Sequence, residues 1–137
     1  MALVTIESSR YNDLIKFISD SNIGYQFEKI TVNEAAATTL KFGTALGKVT
    51  ATSKYKTSLA AAADGSQTIS ALYIADASGT VNSTTLAANT DAQVLALVRG
   101  PAVIIENVAV LGTGHTAATL KAALLALNPP ILVDNGV

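Results

Sequence analysis

The chain has no cysteine, no tryptophan, one methionine and one histidine. Without cysteine there can be no disulfide, no thiolate metal site and no cysteine nucleophile. One histidine leaves little for metal binding, which needs several N or S ligands, or for acid–base catalysis. Charge is scarce too. Asp, Glu, Lys and Arg make up 14% of the chain, against about 25% in an ordinary globular domain. The 9 basic and 10 acidic residues leave a formal net charge of −1, so there is no basic footprint for nucleic acid. No apolar run approaches the ~20 residues that a membrane-spanning helix needs. The opening Met1-Ala2-Leu3-Val4-Thr5-Ile6-Glu7 has no basic region followed by an apolar one. No secretory signal is read, and a cytoplasm-like compartment is expected.

What remains is a chain of 137 residues, enough for one domain. Half of it is apolar, yet only 5% is aromatic. The apolar mass is therefore Ala, Val, Leu and Ile. Much Ala, Thr and Ser must be left for the surface. Another protein can cover such a surface at little desolvation cost, because few ions have to lose their water.

The sequence divides into an arm over residues 1–28 and a body with a helical tail over 29–137. In the arm, Leu3-Val4-Thr5-Ile6 is short, β-branched and extended in character. Tyr11, Leu14, Ile15 and Ile18 follow at helical spacing and predict a helix of about two turns. In the body, strands are expected over 29–33, 42–51 with glycine interruptions, 55–57, 67–75 and 93–98. In Gln67–Ala75, Ile69, Ala71 and Tyr73 share one face, and Leu72 and Ile74 the other. Both faces are apolar, which marks a central strand. Asp64-Gly65-Ser66 is a turn, and residues 76–89 read as a polar loop. Arg99-Gly100-Pro101 breaks the chain before another strand over 102–106, which Val108–Leu111 would extend. The tail predicts a helix over about 116–128, capped by Thr113 or Thr116. Its stripe is Leu120, Leu124 and Leu127, with Lys121 pointing away. Pro129 and Pro130 stop it, and Ile131-Leu132-Val133 forms a last strand. The fold class is mixed α+β, mostly β: a small β-sandwich or barrel-like body with one C-terminal helix and an extended N-terminal arm.

The motifs that carry chemistry are weak. His115 lacks a G-x-S-x-G serine elbow and reads as a loop or capping histidine. Gly112-x-Gly114 is a fragment of a phosphate loop, with no second βα unit after it. Lys54-Tyr55-Lys56 interleaves basic and aromatic residues as single-strand binders do, but three residues fit a solvated hairpin end. No carboxylate pair has glycosidase-like spacing. No catalytic, cofactor-binding or metal-binding residue is assigned. Arg99, ending an apolar strand, either marks the strand end or clamps a neighbouring subunit. The arm also has two readings. It adds a strand to a partner's sheet edge, since ten extended residues reach about 33 Å, or it folds onto its own body.

Several segments, in order, resemble the lambda-type bacteriophage head decoration proteins. They are Thr44-Ala45-Leu46-Gly47-Lys48-Val49-Thr50, Lys54-Tyr55, Ala61-Ala62-Ala63-Asp64-Gly65-Ser66-Gln67-Thr68, Leu72-Tyr73 and Val98-Arg99-Gly100. The likeness covers about residues 40–133, ending in a helix and a short strand. It implies a β-tulip-type fold and a homotrimer. It further implies binding to the major capsid protein, on the outer surface of the expanded shell at local three-fold positions, against internal DNA pressure. The family's arm adds to a capsid subunit's sheet, which falls here on Leu3, Val4, Thr5 and Ile6. No cofactor, membrane or direct nucleic-acid contact is implied, and assembly would take place in the host cytoplasm. Another phage structural β module, such as a tail-tube or spike protein, shares the composition. A small hydrolase using His115 is a further alternative.

Overall fold

The computed structural model describes residues 15–18, 26–100 and 102–134. The body is a closed barrel of β2 (Phe27–Val32), β5 (Tyr55–Thr57), β4 (Ala45–Lys48), β6 (Ile69–Asp76) and β8 (Ala92–Leu97), joined in that order. All its pairings are antiparallel except β2 with β5, which meet in parallel at Val32 and Tyr55. A two-stranded ribbon, β3 (Thr38–Lys41) with β7 (Ser83–Leu86), lies against the barrel. A separate three-stranded sheet has the order β1 (Ile15–Ile18), β9 (Ala102–Ile105), β10 (Ile131–Asp134). One helix, α1 (Ala117–Leu125), packs on β10 and β6.

Two apolar clusters follow from this layout. The first fills the barrel: Ile30, Val32, Leu46, Ala71, Tyr73, Val94 and Ala96, closed by Leu40 and Leu86 of the ribbon. The buried Tyr73 hydroxyl finds Thr84 Oγ1 of β7 at 2.6 Å, satisfying a group that would otherwise be costly to bury. The second cluster lies between the barrel's outer side and the three-stranded sheet. It joins Leu72, Ile74 and Leu97 to Ala102, Ile104, Ile131, Leu120 and Leu124. A strand buried on both faces serves two cores, and β6, paired to β4 and β8, is that strand. The central position expected for residues 67–75 is thus observed.

Its facing is not as expected. Between β4 and β6 the register steps from Leu46↔Ala71 to Gly47↔Ile69. This bulge leaves Ser70 over and turns Ile69 into the outer cluster with Leu72, away from Ala71 and Tyr73. An extra residue in one strand reverses the alternation beyond it. Residues 15–18, expected in a helix, are a strand paired antiparallel with β9. Their β-branched and aromatic content suits a strand, and a two-turn helix has no stability of its own to resist pairing. The polar stretch read as a loop over 76–89 contains β7, because its threonines pair with β3. After β9 the chain makes a 3-10 turn at Glu106–Val108 instead of a longer strand. Val110 then forms an isolated parallel bridge with Thr44.

The tail follows the sequence closely. Thr116 is the N-cap: its hydroxyl accepts from Thr119 N–H, and Thr119 Oγ1 accepts from Thr116 N–H at 2.9 Å. Leu120 and Leu124 are wholly buried, Leu127 partly so, and Lys121 is exposed.

Candidate functional site

Leu3, Val4, Thr5 and Ile6 lie outside the described residues, as does most of the stretch read as the arm. Its described parts are β1, Gln26 and the start of β2. Arg99 follows β8, and its Nη2 donates to Glu28 Oε2 at 2.5 Å. The strands dictate that meeting, because β2 and β8 pair with Phe27 opposite Leu97 and bring the two chain ends together. The Arg99 side chain as a whole is about 29% exposed.

The Lys54-Tyr55-Lys56 stretch offers no basic face. Lys54 pairs with Asp91 at 2.8 Å, and Lys56 with Asp64 at 2.7 Å. Asn33 Nδ2 also donates to Asp91 at 2.6 Å. Lys48 sits over the Tyr55 ring, 5.9 Å from its centroid. Two of the three cations are thus matched by carboxylates, and the third is stacked on an aromatic ring.

Asp64 organises the adjoining turn. Its Oδ1 accepts from Ser66 N–H at 3.0 Å and Ser66 Oγ at 2.5 Å. Gly65 completes the turn at a φ of +101°, a conformation that side chains other than glycine's resist. The hydrogen bond from Lys56, with those from Ser66, holds the Asp64 carboxyl well below the usual carboxylate range. A group depressed in the folded state contributes stability above its unfolded pKa of about 3.9, and loses it as pH falls through that value and below. Asp64→Asn should therefore flatten the acid limb of the melting temperature between about pH 5 and pH 2. Asp76 and Asp91, also depressed, keep a residual slope. Identical slopes in the parent and the variant would remove Asp64 from this role.

His115 meets Ser58, a residue the sequence reading did not single out. Ser58 Oγ lies 2.9 Å from His115 Nε2 and donates to the Ser66 carbonyl at 2.7 Å. A hydroxyl has one proton, so with that proton on Ser66 the imidazole Nε2 must be the donor. Nδ1 faces Thr119 Oγ1 at 3.1 Å. A serine nucleophile needs the opposite: an accepting Nε2, a carboxylate behind the ring and an accessible hydroxyl. Here Ser58 is wholly buried and a threonine stands behind the ring. The constellation is a latch between the helix start and the 58–66 loop, in keeping with the loop or capping role expected for His115. Outside it lies a broad depression of about 460 Å³ whose lining includes Ala60, Gln67, Thr68 and Ala123.

Large apolar residues are exposed elsewhere among the described residues, at Leu59, Val81, Val110, Leu125 and Leu132. Leu125 of α1 is 53% exposed and Leu132 of β10 is 50% exposed. The position of Leu132 in the outermost described strand of its sheet could not be read from spacing, since Ile131-Leu132-Val133 looks the same in a central strand as in an edge strand.

Among the described residues no group of three or more His, Asp or Glu side chains is placed to hold a metal, and no helix is long and apolar enough to cross a membrane. The fold is a small β-barrel flanked by a three-stranded sheet and one helix, and the ion pairs described above tie its strands and loops together. The chain matches the family model for bacteriophage lambda head decoration protein D over residues 5–129 and belongs to that family. It is thus a capsid-decorating structural protein of the virion. Searches of curated proteins and of solved structures find no match.

Proposed function

We propose that three copies of the chain assemble into a trimer that cements an expanded phage shell from outside. The trimer sits at local three-fold positions and resists the pressure of packaged DNA. The observation that carries the reading is the family match, which begins at Thr5, inside the arm, and runs on past α1. The arm over residues 1–28 supplies the grip on the major capsid protein, with Leu3, Val4, Thr5 and Ile6 adding a strand to a capsid sheet. The domain over 29–137 supplies the rigid body. Arg99, held by Glu28 and still partly exposed, serves the contact between subunits. The chain would assemble in the host cytoplasm and end on the outer capsid surface.

Multiplicity makes such a grip effective. Once one arm of a trimer is engaged, the other two bind at a high effective concentration, so weak contacts combine into a slow release. The low charge fits this use, because few ions must be stripped of water at the interface.

Deleting residues 1–10 tests the arm. The truncated chain should keep its fold and its trimeric mass in sedimentation while its affinity for expanded shells falls by roughly tenfold or more. Undiminished binding would take the arm out of the mechanism. An intact chain that sediments only as a monomer and does not bind shells would sink the reading as a whole.

A further inference from the structure

Both nitrogens of the His115 ring face hydroxyl oxygens whose own protons are already placed. Ser58 Oγ, 2.9 Å from Nε2, donates to the Ser66 carbonyl at 2.7 Å. Thr119 Oγ1, 3.1 Å from Nδ1, donates to the Thr116 carbonyl at 2.9 Å and accepts from Thr116 N–H at 2.9 Å. A hydroxyl has one proton and two lone pairs, so each oxygen keeps a lone pair for the ring. A neutral imidazole has one N–H to offer, and only the imidazolium donates from both nitrogens. The two sides differ in freedom. Ser58 and Ser66 are wholly buried, and the Ser58 proton stays between them. Thr119 is exposed, and the Thr116 carbonyl also receives Leu120 N–H at 3.0 Å. Thr119 can therefore turn its proton away without leaving that carbonyl unpaired, which would be the costly outcome.

We infer that His115 is a proton-operated switch on the cap of α1, and that its protonation state sets which way the Thr119 hydroxyl points. With the ring neutral, Nε2 donates to Ser58 and Thr119 turns its proton to Nδ1. When Nδ1 takes up a proton from solvent, that N–H donates to Thr119 Oγ1, and the Thr119 proton returns to the Thr116 carbonyl. Every polar atom named stays paired in both states, so the exchange needs no rearrangement of backbone. The ring is partly exposed beside the 460 Å³ depression, which gives the proton its route. No charged side chain lines that depression, whose β6 side is Ile69, preceded by Gln67 and Thr68. On the 58–66 segment, Asp64 is engaged by Lys56 and Ser66. On α1, Lys121 lines a separate groove with Leu125 and β10. The start of the helix carries partial positive charge, and the oxygen facing Nδ1 is what accommodates a proton against it. The switch sits at the first turn of the helix that packs on β10 and β6. It is independent of the cementing role.

The test is a nuclear magnetic resonance titration of the intact, isotope-labelled chain between about pH 8 and pH 5, where histidines change charge. At the upper end Nε2 should carry the proton and Nδ1 should not. On acidification the Nδ1 resonance should move to the protonated range while Nε2 stays there. The Thr116 carbonyl and amide signals should shift with the same midpoint as the ring. In His115→Gln the Thr116 signals should stay flat across the range. Thr119→Ser should keep the coupling, and Thr119→Val should lose it while the ring still titrates. Should the valine variant unfold, the parent and His115→Gln spectra decide. A ring that takes up its proton while Thr116 stays silent overturns the inference and gives Nδ1 to water. A ring already protonated at Nδ1 at pH 8, or one that never changes in the folded chain, overturns it as well. So do Thr116 signals that titrate unchanged in His115→Gln.

Discussion

Gly47→Ala should destabilise the barrel by about 3 kcal/mol or more, at or above the usual range for overpacking a core. Gly47 lies in β4, where that strand crosses the loop leading into β6. A Cβ at this position would stand 2.0 Å from the Ser66 carbonyl oxygen and 2.6 Å from its carbon. Those atoms are backbone and cannot swing aside as a side-chain tip would. The same oxygen accepts the Ser58 hydroxyl, which in turn meets His115. Displacing Ser66 would therefore open the latch at the helix start as well. A denaturant titration should show a clear fall in midpoint. A change below about 0.5 kcal/mol, the size of an ordinary surface substitution, would show that the strand and loop are not in this contact.

Leu72→Ala should have a comparable effect by the opposite route. Leu72 is wholly buried, and its cluster joins the outside of the barrel to α1 and the three-stranded sheet. Truncating a buried leucine removes apolar transfer energy and leaves a cavity, at a cost of about 2–5 kcal/mol. The loss should appear first as faster hydrogen exchange in α1 and β10, which reach the barrel through this cluster. Leu132→Ala, at a half-exposed site, should cost far less. If the two variants melt alike, the division between core and open edge is mistaken.

The parts of the fold legible in the sequence are those governed by near neighbours. The helix is one. Thr116 and Thr119 are three residues apart and reciprocate as a cap, Leu120 and Leu124 fall on one stripe, and Pro129 and Pro130 forbid continuation. The turn at Asp64-Gly65-Ser66 is another, because its bonds run two residues along the chain. Arg99 stands out in the sequence as the charge ending an apolar strand, but its partner Glu28 is 71 residues away and only strand pairing brings them together. His115 lies in the loop before the helix, one of the two places its sequence context suggests, while Thr116 is the cap; the serine that meets the ring, 57 positions earlier, carries no local sign.

The misread segments share a cause. Residues 15–18 have helical spacing over a stretch too short to hold a helix, and β9 offers them hydrogen bonds that water does not specify. Ser83–Leu86 looks like a loop by composition and becomes a strand because β3 lies beside it. Ile69 takes the other face of β6 because one extra residue bulges against Gly47.

The sequence by itself determined that this protein has no cysteine chemistry, little charge, a capped C-terminal helix and a central strand apolar on both faces. These depend on residue type and on contacts within a turn or two. Only the tertiary structure decided which strands close the barrel, where a bulge reverses the facing, and that β10 is the outermost strand of its sheet among the described residues, with Leu132 exposed. Edges and registers are set by pairings between distant segments, whose free energy exceeds the small local preferences that a sequence displays.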